Sequence, residues 1–199
     1  MEGPSGKPRP ALPLFGDMPG ELLLRALPLR LELRFVEERS LPPGCVRLVD
    51  HRPAADRVTL MHPPAEAGSA EAGRVRDAAL RGVLSVVRRE AEAALPPLVA
   101  ETARRIGAPV PPRVRIGMPR TRWASRSSTG TVSCNLLLVF LPGALVLHVV
   151  LHELAHVYHM DHGPQFRALL SRLDPLGSAH EKALKSAPRN YIPAPLRGL

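Results

Sequence analysis

The chain has 199 residues, of which 45% are apolar and only 4% aromatic. That composition supports one domain with tails and a core of Leu, Val and Ala, and it excludes wholesale disorder. A balance of 27 Lys and Arg against 18 Asp and Glu gives a charge of +9, which favours anionic partners without naming one.

The excess charge is uneven. Residues 1–110 carry 16 basic and 14 acidic side chains, whereas residues 111–199 carry 11 and 4. Cys45 and Cys134 are the two cysteines and no CxxC occurs, so neither a disulfide framework nor a thiolate metal site can be built. No apolar signal segment opens the chain, and a cytoplasmic protein is expected.

Residues 1–26 begin with five prolines before Gly20 and read as a disordered leader. From Leu27 the sequence alternates, Leu29, Leu31, Leu33 and Phe35 against Arg30, Glu32 and Arg34, which predicts a half-buried strand. Cys45–Val49 and Val58–Met61 read as further short strands, so 27–64 is expected to be an antiparallel meander. Over 69–107 apolar positions recur at three and four, which predicts helix. The 23 prolines argue against any long uninterrupted helix, and Pro96-Pro97 is expected to divide this stretch in two. Gly107 supplies a C-cap. Val114–Ile116 and Thr131–Phe140 read as strands. Residues 186–199, with three prolines, read as a tail.

Leu136–Leu151 is the most apolar stretch. A bilayer span needs about 20 apolar residues; this one has 16, broken by Pro142-Gly143 and carrying His148. A buried helix after a Pro-Gly turn is expected instead, with no membrane partner.

Five of the eight histidines lie between positions 148 and 162. Among them, His152-Glu153-Leu154-Ala155-His156 is an HExxH. On a helix, positions i and i+4 share a face, so two imidazoles can reach one metal ion while Glu153 addresses a water beside it. Val149, Val150, Leu151, Leu154, Ala155 and Val157 make that helix apolar on nearly all sides. A core helix must satisfy its polar groups, and a metal ion does so.

The third ligand is expected at His162. A continuing helix would turn it about 240° from His156, but Asp161-His162-Gly163-Pro164 is a stop. Pro164 suits the first position of a new helix, and Phe166, Leu169, Leu170 and Leu173 continue at helical spacing. A bend at 160–163 returns His162 toward the metal. The competitors are His148, His159, His180 and Glu181.

The segment HELAHVYHMDHGPQF resembles the active-site segment of the YgjP-like family of bacterial metal-dependent hydrolases. A second block agrees: Arg122-Trp123-Ala124-Ser125-Arg126-Ser127-Ser128, followed by Thr131–Pro142 with Asn135, is similar to that family's RWGSCS block and the strand after it. The resemblance implies metal ligands at His152, His156 and His162 and a general base at Glu153. The family commonly carries Gly and Cys where this chain has Ala124 and Arg126.

These readings converge on an α+β domain over 27–185. An antiparallel sheet would pack on the HExxH helix in a zincin-like way, with additional helices. The expected activity is metallopeptidase-like hydrolysis with zinc or another divalent transition metal. Arg122, Arg126 and Tyr158 are candidate oxyanion donors. Arg113, Arg115, Arg120, Arg122 and Arg126 lie in a stretch without acids and suit phosphate as well. Trp123 could stack on a base. The alternatives are therefore a nucleotide pyrophosphohydrolase on the same metal site, or a basic nucleic-acid-binding module with a structural metal. The partner is a peptide, protein or nucleotide, with nucleic acid reached through the basic second half. Oligomeric state carries no signal.

Overall fold

The structure, a computed structural model, describes residues 13–52 and 54–197. The order of elements is β1 (Glu21–Leu24), β2 (Leu29–Glu37), β3 (Arg47–Asp50), β4 (Arg57–His62), α1 (Ala70–Arg105), β5 (Val114–Gly117), β6 (Ala124–Arg126), β7 (Val132–Asn135), α2 (Gly143–Ala155), α3 (Pro164–Leu173) and α4 (Gly177–Tyr191), with short 3-10 turns between. The chain is thus α+β, and it divides into two compact units. The described part of one comprises residues 13–20 and 32–82; that of the other, 21–31 and 83–197.

In the first unit β2, β4 and β3 are hydrogen-bonded in that order. Alternation buries Leu33, Val58 and Leu60. The expected antiparallel meander is corrected here: β3 runs antiparallel to β4, but β2 runs parallel to it, with Leu33 opposite Val58 and Phe35 opposite Leu60. Period-two patterning fixes which face a residue occupies, not the direction of the neighbour.

The leader reading also gives way at its end. Residues 1–12 lie outside the described residues, but Pro13–Phe15 form a 3-10 turn and Glu21–Leu24 a strand. Leu14, Phe15 and Met18 are buried in the first unit, where Phe15 stacks on Phe35 with ring centroids 4.3 Å apart. A high local density of proline does not prevent the apolar residues in between from being buried.

Helix α1 corrects the expectation that prolines would divide it. It runs for 36 residues, about 54 Å at 1.5 Å per residue. Ser69 caps it, its Oγ accepting the N–H of Ala72 at 3.0 Å. Buried positions recur at three and four along its length, through Ala72, Val75, Ala79, Val83, Val86, Val87, Ala91, Leu95, Val99 and Ala103. Pro96 and Pro97 leave the carbonyls of Glu92 and Ala93 without their helical donors. Both of those residues are exposed, where water can take the place of the lost bonds while the buried stripe continues. Gly107, at φ +69°, ends the helix as expected. Ala108 N–H bonds back to Ala103 and Gly107 N–H to Arg104, satisfying the terminal carbonyls.

The second unit holds the sheet β5-β7-β6. It is mixed, with β5 parallel and β6 antiparallel to β7, because β6 returns directly into β7 whereas β5 reaches it only after β6. The expected strand over 131–140 ends at Asn135. Its Oδ1 accepts the N–H of Leu137 at 3.0 Å and starts a 3-10 turn, Leu136–Phe140, whose residues are buried except Leu137. Pro142 precedes α2, which is almost wholly buried and packs against β6, α3 and α4. No helix among the described residues is long and apolar enough to cross a membrane. The expected tail from 186 instead continues α4 to Tyr191, with Ala187, Ile192 and Leu196 buried; only 198–199 lie outside the described residues.

Candidate metal centre

The site is built on the end of α2. His152 and Glu153 lie in its last turns, and His156 is the C-cap at φ −65°, ψ −7°. The chain then tightens, with Val157 N–H bonding to Leu154 and Tyr158 N–H to Ala155. It turns through 157–163 and starts α3 with Gly163 as N-cap and Pro164 within the first turn. The helix therefore stops earlier than residue 160. The turn brings the His162 ring back beside those of His152 and His156.

One ring nitrogen from each of His152, His156 and His162 lies within 4.8 Å of the others, so the three could hold a metal ion. His152 Nε2 and His162 Nε2 are 3.0 Å apart. His156 turns its Nδ1 to the carbonyl of His159 at 3.0 Å, which fixes the ring and leaves Nε2 for an ion. His159 thus serves through its backbone. Burial, and then the neighbouring His156 and His162, push the His152 pKa down to about 4, so its lone pair is available at neutral pH.

Sequence reasoning missed the floor of the site. The Phe166 ring, 2% exposed, lies 4.9 Å from His152, 4.7 Å from His156 and 4.8 Å from His162 between centroids. It belongs to an apolar cluster with Leu151, Ala155 and Leu170. Its place two residues after Pro164 on a new helix was legible as core; its contact with all three imidazoles needed the fold.

Glu153 is 7% exposed and faces β6, whose Arg126 donates a backbone N–H to its carboxylate. Burial pushes its pKa up to about 7, against the pull of that N–H and of the Arg122 and Arg126 charges. The arrangement sets a buried carboxyl in one cleft with three imidazoles, with two arginines at the rim. The cleft has a volume of about 390 Å³, and its walls include Arg122, Ser125, Arg126, Met160 and the three histidines.

The remaining sequence candidates separate. Arg122 and Arg126 reach the cleft, and Arg126 Nε is buried without a partner. Trp123 and Asn135 line a neighbouring cavity of about 380 Å³. The Asn135 amide donates to the carbonyls of Pro119 at 2.9 Å and Arg122 at 3.2 Å, so it holds the loop that carries Arg122. The Tyr158 hydroxyl donates to the Gly107 carbonyl at 3.2 Å. His148 and His180 turn to Asp174, and Glu181 is exposed.

The family model described as YgjP-like, metallopeptidase domain, matches residues 61–187. The chain belongs to the YgjP-like family. The matched range contains all three histidines and Glu153. A YgjP-like metallopeptidase domain points to a metal-dependent hydrolase with a peptide substrate, and the histidine cluster is suited to the ion that class requires. No curated protein and no solved structure matches the chain.

Proposed function

We propose that this chain is a zinc-dependent peptidase whose ligands are His152, His156 and His162 and whose general base is Glu153. The observation that carries the proposal is the convergence of three imidazoles around Phe166, with a buried carboxylate beside them. Three neutral nitrogens fit zinc and leave one position open, as catalytic sites do. Bound there, zinc supplies a Lewis acid and lowers the pKa of a bound water to about 7.

The protein's own groups do the rest. His156, pinned through Nδ1, and His152, held neutral by burial, keep their nitrogens directed at one point. Glu153 takes the proton of the attacking water on a carboxylate oxygen and delivers it to the leaving amine nitrogen. The Arg126 N–H holds that carboxylate toward the cleft. Arg122 and Arg126 stand where a carbonyl oxygen gains negative charge and offer it donors. We read the packing of α2 on β6 as zincin-like, and 27–185 as the metallohydrolase domain.

The test is Glu153→Gln, followed by metal content and casein hydrolysis. The variant is expected to keep one ion at this centre and lose turnover by at least about a hundredfold. Full activity in the variant would refute the assignment of Glu153.

A further inference from the structure

Two histidines outside the catalytic set face one carboxylate. His148 lies on α2 four residues before His152, and His180 lies in the first turn of α4. Both aim at Asp174, the residue that ends α3. We infer that His148, Asp174 and His180 form a second metal site, for a divalent transition-metal ion, separate from the HExxH centre.

The geometry is convergent. His148 Nδ1 lies 2.6 Å and His180 Nδ1 2.8 Å from the same oxygen, Asp174 Oδ2. The three donor atoms lie within 4.8 Å of one another, and small side-chain shifts bring them to the separations that one ion with bonds of about 2.0–2.2 Å sets. Three separate elements supply them, so the arrangement is tertiary rather than a local turn.

The donor chemistry selects the ion. Two imidazole nitrogens and one carboxylate oxygen are ligands for zinc, cobalt, nickel or manganese, and too nitrogen-rich for calcium or magnesium. Burial raises the Asp174 pKa, but the hydrogen bonds from His180 and His148 outweigh it and hold the carboxyl below its usual range. The group is therefore an anion at neutral pH. Its other oxygen, Oδ1, accepts the N–H of Leu176 at 3.1 Å, so the carboxylate is oriented from behind with Oδ2 toward both imidazoles, and an ion bound there would displace the imidazole protons that bridge them to it. The Leu176 N–H gives the supporting bond a metal carboxylate needs.

The surroundings leave room. Gly177 stands beside the donors: a Cβ there would lie 3.5 Å from His148 Cε1 and 3.8 Å from Asp174 Oδ2. His148 is 2% exposed, while the Asp174 and His180 side chains are 10% and 18% exposed, which gives an ion a path from solvent. An apolar helix needs no histidine at a fully buried position. Placed there with the same nitrogen as His180 on one carboxylate oxygen, it supplies a ligand. The ion would tie α2 to the end of α3 and the start of α4. Since α3 carries Phe166, it would also brace the floor of the catalytic centre.

The experiment loads the full chain with zinc, removes excess, and counts ions per chain for the wild type and three variants. Asp174→Asn and His180→Gln disable the inferred site, and His162→Ala disables the HExxH centre. The wild type is expected to hold two ions and each variant one. Histidine 15N shifts should show metal on Nδ1 of His148 and His180. A wild type with one ion that Asp174→Asn retains would overturn the inference, as would a second ion that persists in both Asp174→Asn and His180→Gln. A single ion that survives His162→Ala but is lost in Asp174→Asn would uphold this site and remove the HExxH reading instead. If Asp174→Asn fails to fold by circular dichroism, His180→Gln, at the more exposed position, carries the test.

Discussion

Replacing Phe166 with leucine tests whether the ring under the three imidazoles organises the centre or only fills space. The ring contacts three imidazoles at centroid distances of 4.7–4.9 Å. Aromatic pairs contribute about 0.5–1.5 kcal/mol each beyond buried area. One ring shared among three small partners cannot realise the full sum, and leucine restores most of the apolar contact with Leu151 and Leu170. A net loss of about 1–2 kcal/mol in stability follows, or about 2–8 °C in Tm for a chain of this size. The larger effect should fall on metal binding. Without the ring the imidazoles lose the surface that sets their tilt, and residues that orient ligands typically matter by about 10–100-fold in affinity. The assay is zinc affinity by competition with a chromophoric chelator, beside a thermal melt of the metal-free chain. A variant that melts lower but binds zinc as tightly as the wild type would refute the reasoning and reduce Phe166 to core packing.

Three further outcomes are expected. His162→Ala should weaken zinc binding at the HExxH centre by at least about tenfold, because two imidazoles remain of three; unchanged affinity would place the third ligand elsewhere. A thiol reagent should find one fast cysteine per native chain. Cys45 is exposed, whereas Cys134 is buried and burial, with Glu153 nearby, pushes its pKa up to about 12; two fast thiols would contradict this. In the metal-free chain, His152 and Glu153 should oppose each other with pH. The lowered His152 pKa of about 4 gives stability that is complete above pH 6.5 and lost as the pH falls toward 4. The raised Glu153 pKa of about 7 gives stability that is complete below pH 4.5 and lost as the pH rises through 7. Glu153→Gln should therefore gain stability over the wild type as pH rises from 4.5 to 7, read by urea unfolding; a pH-independent difference would show that Glu153 is not desolvated.

The residues that gather at the candidate metal centre were legible because their information is local. HExxH on an apolar helix fixes two imidazoles and a carboxylate by helical pitch alone, and Gly163-Pro164 announces the new helix that lets His162 return. Gly107 and Ser69 mark the ends of α1 by the same kind of local chemistry. What the sequence could not state was which elements become neighbours. The parallel pairing of β2 with β4 depends on strand order, which alternation does not encode. The passage of α1 through Pro96-Pro97 depends on where Glu92 and Ala93 face, since water can replace a lost helical bond only on an exposed side. The floor under the imidazoles and the meeting of His148, Asp174 and His180 depend on how α2, α3 and α4 pack. Sequence spacing governs contacts within one element; contacts between elements come from burying their apolar faces together, and only the tertiary structure decides that.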